Sequence, residues 1–253
     1  MLRSKNIMSF VKKSFTCVFF SALACIAFSA NDDIRFTRIV CKDSSEFYMG
    51  DYTYDYPIGG TPSMVKGLQN ALFSKGKKFY ENECHPDKYV SPNELEEDER
   101  FLAEEIYSST VAMQTSKFIL YNNFYYEYRG GAHGLGGTAY ALYTKPNGQL
   151  FEINETDYKD PQKARSILWN SLTRDMDRET LNELHDYGTI KDSLPISKNI
   201  YYEKDSLSFE YMIYEIGPYA CGQVQIKIPY EVILRNIKPE KARILEEIQD
   251  SFK

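Results

Sequence analysis

The sequence predicts an α+β protein built as two small sub-domains of antiparallel sheet with packed helices. Three observations lead there: period-two aromatic runs that turn on Gly or Pro, apolar stripes at helical spacing set between those runs, and no repeat or low-complexity linker anywhere in the chain. Residues 1–29 read as a signal peptide, 31–150 as an N-terminal sub-domain and 151–253 as a C-terminal one.

The elements follow in order. Ile34 to Cys41 alternates as a strand, and Glu46 to Tyr56 is a second, aromatic strand that ends on Pro57 and the Gly59-Gly60 turn. Pro62 to Ser74 places Met64, Leu68 and Leu72 on one helical face. Ser91 then reads as an N-cap, with Pro92 in the first helical position and Glu94 at the third. That capping box opens a predicted helix running through Leu95, Leu102 and Ile106 to Ser108. Period two returns in Phe118–Tyr128, resumes at Thr138–Tyr143 and turns at Lys145-Pro-Asn-Gly148 into a strand from Leu150 to Ile153, a meander or hairpin set. Asp160-Pro161 opens a helix bearing Ala164, Ile167, Leu168 and Leu172, which continues or restarts through Leu181 and Leu184 to Tyr187-Gly188. A hairpin pairs Ile200–Glu203 with Leu207–Tyr214; the strand Val224–Ile228 and an amphipathic helix from about Pro239 to Phe252 complete the chain.

The amino terminus carries Arg3, Lys5, Lys12 and Lys13 with no acid, then the apolar run Phe15–Phe28. That is the layout of a secretion signal, and the run falls short of the roughly 20 residues a spanning helix needs. The expected location is therefore extracytoplasmic: periplasmic, secreted or lipid-anchored, with no span after cleavage. Ala27-Phe-Ser29 suits conventional cleavage, while Ala22-Leu-Ala-Cys25 resembles a lipoprotein box that would acylate Cys25; both remain open. Cleavage leaves Cys41, Cys84 and Cys221. In an oxidising compartment two can pair, and Cys41 with Cys84 is the expected disulfide, leaving Cys221 a buried thiol.

The 43% hydrophobic content suffices for one or two cores, and the net charge of −6, with acids concentrated over Glu94–Glu99, gives nucleic acid no electrostatic footprint. A cationic partner would be steered favourably. The 21 Tyr and 15 Phe beside a single Trp suit half-buried strand surface, and exposed tyrosines suit recognition.

Two loops stand out. Tyr128-Arg-Gly-Gly-Ala-His-Gly134, continuing Leu-Gly-Gly137, sets five glycines around His133 between two strands; Tyr214-Glu-Ile-Gly-Pro-Tyr-Ala-Cys-Gly222 carries Tyr219 on a Gly217-Pro218 turn. No Gly-x-Ser-x-Gly elbow supplies a nucleophile for His133. His85 and His185 have no second ligand at metal spacing. His133 is expected to be structural rather than catalytic or metal-bound, and no cofactor is expected; an acid–base role with Glu127 or Glu215 is the alternative.

Tyr128-x-Gly-Gly-Ala-His-Gly134, the Asn147-Gly148 hairpin, the helix after Asp160, and Tyr214–Gly222 with Ile226-x-Ile-Pro-Tyr230 resemble the extracytoplasmic domain of the anti-sigma factor RsiV. The same module accompanies peptidoglycan deacetylases such as PdaC. The resemblance covers roughly residues 115–235. It implies a non-catalytic α+β module whose best-understood member binds lysozyme. No sigma-binding segment or deacetylase region is recognisable, and Cys221 stands where the family commonly has a small residue. The expected function is an envelope module that binds a lysozyme-like protein or cell-wall glycan through Tyr128, Gly130, Gly131, His133, Gly134, Gly217, Pro218 and Tyr219. The alternative is a cell-wall hydrolase, or a deacetylase accessory subunit, using His133.

Overall fold

The computed structural model describes residues 34–45, 48–70 and 103–253. Six strands form one sheet in sequence order: β1 (Arg35–Ser45), β2 (Tyr48–Gly59), β3 (Ala103–Gln114), β4 (Phe118–Tyr128), β5 (Leu135–Thr144) and β6 (Gln149–Phe151). Every neighbouring pair is antiparallel except β2 and β3, which run parallel. A helix over 62–70 (α1) follows β2. After the large sheet come α2 (Pro161–Asp175) and α3 (Arg178–Asp186), then a three-stranded antiparallel sheet of β7 (Ile200–Tyr202), β8 (Ser206–Tyr211) and β9 (Val224–Pro229). Two helices, α4 (Tyr230–Asn236) and α5 (Pro239–Asp250), end the chain. The α+β class holds, with two antiparallel-rich sheets and helices packed on them.

Two differences from the expected elements have physical causes. The helix expected over 91–108 is overturned where it can be seen: Ala103 to Ser108 lie in β3, and residues 91–102 fall outside those described. Ile106 fits a helical stripe only by spacing. Its own surroundings, Tyr107-Ser-Ser-Thr-Val111, favour a pleated surface, and β3 is paired on both sides, by β2 and by β4, so tertiary pairing overrides the local pattern. The second difference is α4, over residues to which the sequence assigned no element. Pro229 precedes it with no side-chain cap, so neither a capping residue nor a long stripe announces it. By contrast Asp160 caps α2, accepting from the amides of Gln162 and Lys163 at 3.0 and 3.1 Å, with Pro161 in the first turn.

The alternation of β4 divides two cores. Ile119 and Tyr121 face Met64 and Leu68 of α1 together with Ile34 and Tyr143. Phe118 and Leu120, on the opposite face, join Leu142, Leu168 and Leu172 of α2, the inward residues of β8 and β9, and Leu245 and Ile248 of α5. Asp55, nearly buried, ties the first three strands: Arg38 donates to both its oxygens, at 2.8 and 3.0 Å, and the Val111 amide donates at 3.0 Å.

The two sheets meet at the edge of β5 that β6 leaves uncovered. The carboxamides of Asn199 and Gln223 take the place of a neighbouring strand. The Thr138 amide donates to Gln223 Oε1 at 3.0 Å, and the Thr138 carbonyl accepts from Gln223 Nε2 at 3.1 Å and Asn199 Nδ2 at 2.8 Å. The Tyr140 amide donates to Asn199 Oδ1 at 2.8 Å. Gln223 also donates to Glu210 at 3.3 Å, and Ser208 donates to the other Glu210 oxygen at 2.8 Å. Glu210 is 1% exposed. Burial pushes its carboxyl above the ordinary value, and hydrogen bonds from Ser208, Gln225 and Gln223, with Lys227 nearby, pull it back only in part.

Asn199→Ala strands the Tyr140 amide and removes one donor to Thr138; a loss of about 1–3 kcal/mol is expected in urea unfolding. For Glu210 the folded carboxyl holds its proton more tightly than the unfolded one. Its contribution to stability is therefore complete below the ordinary carboxylate value and is lost as pH rises through the higher folded value. Glu210→Gln removes that slope, so urea midpoints compared at about pH 4 and pH 7 should fall less with rising pH in the variant than in the parent.

Candidate functional site

The two glycine-bearing loops, about eighty residues apart in sequence, come together. The β4–β5 connection turns through Gly130 and Gly131 at φ of 91° and 96°, the left-handed region where a side chain is strained. Tyr128 closes this turn, donating its hydroxyl to the Gly131 carbonyl at 3.1 Å. His133 leaves the turn exposed. Gly134 is buried beneath the Tyr126 ring.

The second loop begins in a tight turn, where the Met212 amide bonds the Glu215 carboxylate at 2.9 Å and the Glu215 amide bonds the Met212 carbonyl at 3.0 Å. Inside it Tyr214 sits at φ 69°, the one non-glycine residue in the left-handed region among those described. Gly217 lies against α3, where a Cβ would stand 2.5 Å from Leu184 Cδ2. Pro218 precedes a short 3-10 turn, Tyr219–Cys221, that raises Tyr219 toward the first loop.

The rings then meet. His133 stacks on Tyr219 with centroids 3.6 Å apart and planes 19° from parallel, while Tyr214 lies 6.0 Å from Tyr219 and 6.4 Å from His133. His133 Nδ1 is 3.1 Å from the Gly134 carbonyl, and Nε2 is 3.3 Å from the Tyr214 hydroxyl. A carbonyl can only accept, so Nδ1 carries the proton of the neutral ring and Nε2 accepts from Tyr214. Neither partner is a carboxylate, and neither is a nucleophile poised for attack.

The sequence reading placed His133 and Tyr219 in this site and missed two residues. Tyr214 entered it only as the start of a motif, because nothing in its neighbours signals a left-handed backbone. Tyr187 was taken as a helix stop. In the structure its hydroxyl donates to the Tyr214 carbonyl at 3.0 Å, and Thr189 two residues later donates to Ile216 at 2.5 Å, so the end of α3 braces the second loop.

Exposure sets this end of the molecule apart. Of eight large apolar or aromatic side chains that are exposed among the described residues, five fall on these segments: Leu135, Tyr187, Ile190, Tyr214 and Tyr219, at 37–48%. Most other tyrosines lie in strands, as in the stacked row Tyr52, Tyr107 and Tyr125 across β2, β3 and β4. Cys221 is a half-buried free thiol that donates to Glu183 at 3.4 Å; burial and that carboxylate push its pKa up to about 11. Cys41 lies in β1 opposite Tyr52, while Cys84, and with it the expected disulfide, lies outside the described residues, as does Cys25. Among the described residues no cluster of three or more His, Cys, Asp or Glu could hold a metal, and no helix is long and apolar enough to cross a membrane.

Residues 150–231 match the model of a family described as "Protein of unknown function (DUF3298)". No match was found among curated proteins. Two solved structures are similar. A DUF3298 family member from Bacteroides fragilis NCTC 9343 is 21% identical, aligns over 88% of this chain and all of its own, and gives a TM-score of 0.59. A DUF3298 family protein from Pseudomonas aeruginosa PAO1 is 13% identical, aligns over 83% of this chain and 97% of its own, and gives 0.53. At these identities the likeness is one of fold: the chain has the fold of DUF3298 proteins, and its residues 150–231 carry the match to that family.

Proposed function

We propose that this chain is an exported, non-catalytic binding module of the cell envelope that recognises a lysozyme-like protein or cell-wall glycan through the surface around His133, Tyr214 and Tyr219. The observation that carries the reading is the convergence of two distant loops into one exposed aromatic cluster. Such a cluster offers large contact area on side chains with few rotors to freeze, and hydroxyls for polar contacts at its margin. Tyr128, Gly130, Gly131 and Gly134 shape the path that presents His133; Gly217 and Pro218 shape the one that presents Tyr219. The resemblance of these loops to RsiV and to the module beside PdaC supplies the ligand classes, and the signal-like residues 1–29 supply the location.

The partners of His133 favour binding over catalysis. Its two ring nitrogens are engaged by a backbone carbonyl and a phenol, so the ring serves as a base plate for Tyr219. A hydrolytic role would call for a carboxylate to orient the imidazole or a nucleophile beside it.

Calorimetry against a lysozyme and against peptidoglycan fragments tests the proposal. One of the two should bind, and Tyr219→Ala should weaken that binding at least about tenfold, as truncation of a central aromatic anchor does, with the fold intact by circular dichroism. His133→Ala should weaken it as well, by freeing Tyr219. No binding of either at high micromolar concentration, or a His133-dependent turnover of peptidoglycan, overturns the reading.

A further inference from the structure

Resting on that reading of the surface, we infer that the His133–Tyr214–Tyr219 cluster is a receptor for a cationic side chain, a guanidinium or ammonium carried by a protein partner. The geometry is that of a stacked pair with a third ring at its side. Tyr214 and Tyr219 stand 6.0 Å apart at centroid with their planes inclined by 44°. That spacing is too narrow for a group to be sandwiched between parallel rings, but one cation can lie within about 6 Å of both centroids. His133 covers one face of Tyr219 and meets the Tyr214 hydroxyl through Nε2, which leaves the opposite face of Tyr219 for a ligand. Tyr214 and Tyr219 remain 43% and 37% exposed, so both rings are open to a ligand.

Charge on the flanking segments has the matching sign. Residues 183–192 and 212–222 contain Glu183, Asp186, Asp192 and Glu215 against one lysine, Lys191, no arginine and one histidine, His185. Asp186 and Glu215 are exposed and adjoin Tyr187 and Tyr214 in sequence. Glu215 uses one carboxylate oxygen to hold the Met212 amide, leaving the other free to face a ligand. The nearest basic residue of the first loop, Arg129, is committed to Glu105 and Glu127 on the large sheet. No lysine or arginine among the described residues lies over the three rings, although the chain does use such a contact elsewhere, with Lys241 Nζ 4.9 Å from the Phe151 centroid. Two exposed tyrosine rings, an acidic margin and no lysine or arginine over them make a site complementary to a positive charge from outside. A neutral sugar ring would use the aromatic faces but gain nothing from the acids.

The discriminating pair of probes is a capped Gly-Arg-Gly peptide and its Gly-citrulline-Gly isostere, which keeps the shape and loses the charge. Each is titrated into the full chain while the aromatic resonances of His133, Tyr214 and Tyr219 are followed by NMR. The arginine peptide should shift all three rings saturably and bind at least about two- to five-fold more tightly than the citrulline peptide, the ratio expected for an exposed cation–π contact. Glu215→Gln, which keeps the acceptor for the Met212 amide, should narrow that ratio, and added salt should do the same. Equal binding of the two peptides, or shifts confined to other residues, overturns the inference, as does a peptidoglycan fragment that moves these rings when the arginine peptide does not. The outcomes separate the two proposals. Lysozyme binding with no preference for arginine over citrulline removes the cation receptor and leaves the recognition surface; arginine binding without lysozyme or glycan binding does the reverse.

Discussion

The architecture turns on two side-chain amides. A strand edge presents donors and acceptors that must be satisfied or solvated, and β5 has such an edge wherever β6 does not reach. Asn199 and Gln223 satisfy it from the small sheet with four hydrogen bonds to Thr138 and Tyr140. Because a carboxamide carries both a donor and an acceptor, it can imitate a peptide unit, and the two sheets are joined without a continuous ladder. Gln223 stands immediately before β9 and just after the loop that bears Tyr219, so the joint that couples the sheets also fixes where that loop begins and ends. The buried Glu210 belongs to the same joint, spending a hard-to-ionise carboxyl to orient Gln223.

Most of the secondary structure was legible because its signals are local. Phe118–Tyr128 is rich in aromatic residues and forms a strand over those residues, and Asp160-Pro161 announces α2 through capping and a fixed proline φ. What escaped was decided at a distance. Ala103–Gln114 becomes a strand because two neighbours pair with it, one in parallel, and no window of its own sequence records that. The start of β5 at Leu135 was obscured for a different reason: Gly136 and Gly137 look like loop, yet they accept strand geometry beneath the Tyr126 ring and beside Met212.

The candidate site was legible in its outline and not in its bracing. Clustered glycines around one histidine, and a Gly-Pro turn bearing a tyrosine, are compositional oddities that a reader can see. That the two loops touch is a property of the fold, in which Gln223, at the end of the second loop, is bonded to Thr138 of β5. Tyr187 and Tyr214 were hidden because one looked like the end of a helix and the other depends on a backbone angle that Tyr rarely adopts.

That backbone angle carries a consequence for stability. A tyrosine held at φ 69° costs of order 1–3 kcal/mol relative to relaxed backbone, and the Tyr187 hydroxyl, the Met212–Glu215 turn and the His133 contact jointly hold it there. The protein thus surrenders folding stability to keep one ring preorganised. Replacing Tyr214 with glycine would relieve the backbone while removing the ring, so at this position a more stable chain and an exposed aromatic ring are opposed.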